Sequence, residues 1–136
     1  MEIIKKHGIE ITEFPETDYE PLVDYGEWRV AVLAFCENTT IEKIKTMQKH
    51  EGTDEVFVLV RGNATLYTAG DGEVPDEVQA VRLEPRKVYN VKKGVWHNHV
   101  LDKEGIVVIV ENRNTNDENS PVLPLSAEQL ERLKEL

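Results

Sequence analysis

The sequence predicts an all-β domain, a sandwich or barrel of short strands closed by one helix. Short apolar segments recur along the chain, they are rich in Val, Ile and aromatic residues, and each is bounded by Gly, Asn or Asp. Segments of that length are too short for globular helices, and β-branched residues between turn formers favour extended backbone.

In order, "WRVAVLAFC" at 28–36 is the first such segment. "IEKIKTMQKH" at 41–50 is compatible with a helical face through Ile41, Ile44 and Met47, but is assigned as a strand. "EVFVLV" at 55–60 and "ATLYTA" at 64–69 flank Gly62-Asn63, which reads as a hairpin because both residues tolerate positive φ. "AGDGEVPDE" at 69–77 is an exposed loop. "VWHNHVL" at 95–101 and "GIVVIVEN" at 105–112 complete the strand set, and "NRNTNDENS" at 112–120 is a polar linker. After it, Ser126 can cap a helix with Gln129 at the capping-box position and Leu125 stapled against Leu130. One domain over 1–136 is expected, with a barrel core at about 28–112 and the helix at about 126–136.

Composition narrows the function classes. The chain has 136 residues, 26 acidic against 16 basic, and a formal net charge of -10. That charge repels phosphate backbones and anionic lipid heads, so neither nucleic acid nor membrane is expected as a partner. Cys36 is the single cysteine, so no disulfide closes within the chain and no cysteine-based zinc site assembles. Nothing near the start has the apolar length of a signal peptide, and no apolar run can span a bilayer. A soluble protein of the cytoplasm is expected.

Two strands also speak to assembly. In 55–60 the alternating sets Phe57, Leu59 and Val56, Val58, Val60 are both apolar, and 106–110 is apolar throughout. A strand apolar on both sides wants cover on both sides. With one short helix available, the N-terminal segment and a second subunit are the expected cover, giving a homodimer.

The candidate chemistry lies in polar residues next to these strands. Residues i and i+2 of a strand share a face, which pairs Gln48 with His50 and His97 with His99, leaving Trp96 and Asn98 opposite. A barrel interior receiving His50, Glu55 and His97 holds two imidazoles and a carboxylate, a donor set that iron, manganese, nickel and zinc all accept. A metal would also offset the cost of burying Glu55. Lys43, Lys45 and Lys49 fall on the other side and read as a solvated edge, His7 reads as solvated, and Trp96 and Tyr89 read as core or interface aromatics.

"QKHEGTDEVFVLVRG" resembles the first motif of the cupins, HxH(x4)E(x6)G, with His50, Glu55 and Gly62 in place, and "KKGVWH" resembles the second, PxGxxH, with Gly94 and His97 in place. The resemblance implies a double-stranded β-helix, the jelly-roll barrel of the cupins, with a divalent transition metal (Fe, Mn, Ni or Zn) in its mouth. Gln48 stands where the first histidine is usual, Lys92 where the proline is, and Leu101 where the second motif ends in Asn. A carboxamide oxygen at position 48 would be a weak fourth ligand. "KVYNVKKGVWHNHVL" with "KHEGTDEVFVLV" is also similar to the ureidoglycolate lyases, a likeness that implies cleavage of a carbinolamine-type acid to glyoxylate and a urea fragment.

The expectation is therefore a small metal-dependent enzyme of lyase, isomerase or dioxygenase type. Its ligand is a small polar molecule bearing a carboxylate or carbonyl, His50, Glu55, His97 and Gln48 hold the metal, and His97 and His99 act at the substrate. The alternatives are ureidoglycolate lyase-like activity and a metal-free pocket that binds a small ligand without turnover.

Overall fold

The computed structural model describes residues 3–136, with side chains from His7 onward. Its strands are β1 (Ile3–Lys6), β2 (Ile9–Thr12), β3 (Asp18–Tyr25), β4 (Trp28–Ala34), β5 (Thr46–Gln48), β6 (Glu55–Arg61), β7 (Ala64–Thr68), β8 (Gln79–Arg82), β9 (Val88–Val91), β10 (His97–Leu101), β11 (Ile106–Asn112) and β12 (Val122–Pro124), followed by helix α1 (Ala127–Glu135). Strands β1 and β2 form a separate hairpin, and the others form two five-stranded sheets in the orders β3-β4-β11-β6-β9 and β12-β5-β10-β7-β8. Every pairing is antiparallel.

Side-chain alternation divides the apolar residues between two clusters. Ala31, Leu33, Phe57, Leu59, Leu66 and Ile109 belong to the cluster between the sheets. Met47, Tyr67, Trp96, Leu125 and Leu133 form the second, on the outside of the β12-β5-β10-β7-β8 sheet beneath α1. The helix starts as expected, with the Ser126 side chain accepting from the Gln129 backbone N–H and the Gln129 side chain accepting from the Ser126 N–H, so two otherwise unpaired donors are satisfied.

Three expectations need correction. Residues 41–50 do not make one strand: 3-10 turns span Glu37–Thr39 and Ile41–Lys43 before the short β5. The hydroxyls of Thr39 and Thr40 donate to the carbonyls of Cys36 and Glu37, a local alternative to ladder bonding. Gly62-Asn63 is not a hairpin, because β6 and β7 lie in different sheets. It is a corner between sheets, docked on Asp102 through the Asn63 N–H and Nδ2 at 3.1 and 2.7 Å. Lys49 is no free solvated edge, since its Nζ donates to the Gly72 carbonyl and lies 4.8 Å from the Trp96 ring centre.

Strand β3, unmarked in the sequence because of its charges and Pro21, pairs with β4 at the sheet margin with an irregularity near Pro21, a position where proline costs no ladder bond. The outer faces of β6 and β11 are nevertheless only half covered by the described residues. Val56, Val58, Val108 and Val110 are partly buried, while Val60 and Val88 are 47% and 70% exposed. Among the described residues, no helix is long and apolar enough to cross a membrane.

Candidate functional site

The sheet corners at Asn63 and Asp102 close one end of the barrel, so the opposite end is its mouth. Antiparallel pairing brings the starts of β6 and β10 to that mouth along with the ends of β5 and β11. His97, the first residue of β10, pairs with Gln48, the last of β5. Glu55 opens β6, and His50 lies just past β5, where its backbone carbonyl accepts from the Gly94 N–H at 2.8 Å. Gly94 has φ +82, a conformation that suits a residue without Cβ.

These segments bring three sequence-marked residues together. His50 Nε2 and His97 Nε2 lie 3.0 and 2.9 Å from the same oxygen, Glu55 Oε1. One donor atom from each residue falls within 4.8 Å of the others, and the three residues are 8%, 5% and 7% exposed.

The partners of the remaining ring nitrogens decide what the Nε2 atoms offer. His97 Nδ1 is 2.9 Å from the Val95 carbonyl, which can only accept, so Nδ1 carries a proton. His50 Nδ1 is 2.7 Å from Ser120 Oγ, whose own hydrogen goes to Asn119 Oδ1. The Asn119 amide is oriented by two backbone partners: its oxygen accepts from the Asn116 N–H and its nitrogen donates to the Asn114 carbonyl. Ser120 must therefore accept from His50, whose Nδ1 is also protonated. As neutral rings, both histidines aim an Nε2 lone pair at a carboxylate oxygen. Three electron-rich atoms so placed require positive charge between them, either as protons on both rings or as a cation.

Proton occupancy has its own signature. Burial acts to raise the Glu55 carboxyl, but hydrogen bonds and charge from His50 and His97 overcome it and bring the pKa down to about 2. Burial acts to lower His50, while the bond and charge of Glu55, with Glu111 adding to them, leave it raised. Without another cation, two imidazolium rings with centres 5.1 Å apart would share one carboxylate, and their mutual repulsion offsets part of that gain.

Gln48 and His99 also line the cavity, of about 480 Å³, above the triad. The Gln48 amide nitrogen donates to the Ser120 carbonyl at 3.1 Å, which leaves its oxygen free of hydrogen bonds among the described residues. His99 Nδ1 is buried with no partner, and burial pushes its pKa down to about 4. The ring is neutral near pH 7.

Four further residues reach the site without any motif to mark them. Tyr19, Arg29 and Glu111 line one wall, and Ser120 sits behind His50. The stretch read as a linker is thus part of the site: Thr115, Asn116, Asp117 and Ser120 line the cavity. A wider groove of about 690 Å³ beside α1 is lined mainly by acidic residues such as Glu128 and Glu131, and the His50, Glu55 and His97 cluster lies elsewhere.

No protein-family model matches the chain. Ureidoglycolate lyase of Azotobacter vinelandii is 32% identical over 72 residues, covering 48% of this chain and 43% of the relative. The matched stretch spans less than half the length of the curated relatives. Among solved structures, a cupin 2 domain-containing protein from Halorhodospira halophila aligns with a TM-score of 0.56 at 14% identity over 98% of this chain and 86% of that one. Pac13, described as a nucleoside dehydratase, aligns with a TM-score of 0.58 at 12% identity over 93% and 88%. Two facing antiparallel sheets, the paired His/Glu and Gly/His motifs at one mouth and these neighbours together identify the fold as that of the cupin superfamily.

Proposed function

We propose that the chain is a metal-dependent cupin enzyme of the lyase type, acting on a small polar acid. The observation that carries this reading is the pair of Nε2 lone pairs held against Glu55 Oε1 by the Val95 carbonyl and Ser120. Ligating histidines commonly donate their second N–H to a carbonyl or other acceptor behind them, which fixes the tautomer. His50, Glu55 and His97 would hold the metal, with the free Gln48 oxygen beside them as a weaker fourth donor. A divalent iron, manganese, nickel or zinc ion bound there would supply Lewis-acid polarisation of a substrate oxygen.

The chain's own groups supply the rest. Arg29 brings positive charge to the opposite wall, where a substrate carboxylate would settle. His99, neutral and lining the cavity, would be the group placed to accept a proton from the bound acid. The likeness to ureidoglycolate lyase supports a narrower form of the proposal: a carbinolamine acid loses its hydroxyl proton as the carbonyl forms. The C–N bond breaks, and its electron pair stays on the urea nitrogen, which takes up a proton. Glyoxylate and urea result.

Elemental analysis of untagged protein, paired with glyoxylate release from ureidoglycolate, tests both levels. A stoichiometric transition metal that is lost in His50→Ala and His97→Ala is expected. Protein that is metal-free and resists reconstitution would sink the metal reading and leave a ligand pocket without turnover. Metal-loaded protein that releases no glyoxylate would sink only the narrower substrate.

A further inference from the structure

The Tyr19 side of the cavity carries a carboxylate that the triad does not use. Glu111 lies one step along β11 from Val110, whose partner on β6 is Val56, so it stands beside Glu55 on the inner face. It is 6% exposed, and its Oε2 accepts from the Tyr19 hydroxyl at 2.9 Å. Among the described residues Tyr19 is its only hydrogen-bond partner. The Arg29 guanidinium lies near Tyr19 on the same cavity wall, and its Nε is held by Asp24 Oδ1 at 2.9 Å. A carboxylate offers about four acceptor positions, and Tyr19 uses one.

A buried carboxylate next to a second one is costly unless its lone pairs are met. Burial and then the charge of Glu55 raise the Glu111 carboxyl, while Tyr19, His50 and Arg29 work to keep it ionised. The cavity is the side from which a further donor can arrive. We infer that Glu111 is the acceptor that reads an N–H or O–H donor on the bound acid, so that the pocket selects ureido, amido or hydroxy acids over keto or aliphatic acids of the same shape. This rests on the small-acid reading proposed above and names the group that the acid must carry. Discrimination follows because an analogue without the donor leaves a buried acceptor unpaired. A ureido group fits the site well, since its two parallel N–H bonds can both reach one carboxylate.

Hydantoate and levulinate make the test. They share one chain of heavy atoms, with NH₂ and NH in the first replaced by CH₃ and CH₂ in the second. Calorimetry on the purified, metal-assayed protein is expected to show hydantoate binding roughly tenfold or more tightly than levulinate. Glu111→Ala should reduce the preference to about twofold or less with levulinate affinity little changed, and Tyr19→Phe should weaken it in part. Glu111→Gln keeps the side-chain volume if the alanine variant folds poorly, and it is expected to lose most of the preference. Equal binding of the two acids, binding of neither, or a full preference surviving in the folded Glu111 variants overturns the inference. The metal content measured alongside separates these outcomes from failure of the metal reading itself.

Discussion

Replacing Ser120 with alanine tests whether the aim of His50 is set from behind. Ser120 is 2% exposed and sits 2.7 Å from His50 Nδ1, so alanine leaves a buried ring nitrogen with no partner. In metal-free Ser120→Ala the neutral ring has an escape: its proton moves to Nε2 and is donated to Glu55 Oε1, 3.0 Å away. Metal binding needs that Nε2 lone pair, so it drives the proton back to Nδ1, where nothing accepts it. The penalty therefore falls on the bound state. An orphaned buried donor costs about 1–3 kcal/mol, which corresponds to metal affinity weaker by about five- to 150-fold. Competition with a chromophoric chelator at fixed pH measures the affinity, and a thermal melt confirms folding. A folded Ser120→Ala protein with an affinity within about twofold of the parent would refute the tautomer argument, and with it the reason for preferring a metal over two protonated rings.

Three other outcomes are expected. Gly62→Ala should destabilise the protein by about 2 kcal/mol or more in denaturant melts, because its φ is +71 and a Cβ would run into the Glu104 backbone carbonyl; Gly94→Ala, at φ +82 but with nothing within 4 Å, should cost only the backbone term of about 1–2 kcal/mol. His99, held at about 4 in the fold by burial, is free to titrate near 6.5 when unfolded, so its contribution is complete above that pH. It is lost as pH falls from there towards 4, by about 3 kcal/mol in all; urea melts of the parent and His99→Gln should diverge over that window, and parallel pH profiles would contradict the assignment. Light scattering should give twice the 15.6 kDa chain mass, with Val88→Lys on the open valine face producing a folded monomer, whereas a monomeric parent at tens of micromolar would leave that face without its expected partner.

The parts of the site that were legible in the sequence are those whose spacing follows from strand geometry. His97 and His99 share a face because β10 is extended, and Glu55 enters the barrel because it keeps step with Phe57 and Leu59, both buried. The corner at Gly62 was misread for a related reason. Positive φ says that the chain turns, not whether the next strand pairs with the last or joins the opposite sheet. Likewise the hydroxyls of Thr39 and Thr40 made turns from a stretch whose apolar spacing suited either structure.

Ser120 and Glu111 show two different limits. Ser120 acts through a loop, and its place behind His50 depends on the Asn114, Asn116 and Asn119 bonds that fold the loop back on itself. No periodicity encodes such a return. Glu111 had a signal: Val107 and Ile109 are the buried set of β11, and extending that alternation by one step puts a carboxylate on the core face. A charged residue in phase with buried apolar ones either ends the strand or faces something that compensates it. Strand β11 continues to Asn112, so the first option fails. The partner found is the hydroxyl of Tyr19, from a strand that Pro21 and its charges had concealed. One hydroxyl is small compensation for a carboxylate beside Glu55, and the balance has to come from the cavity that both residues line.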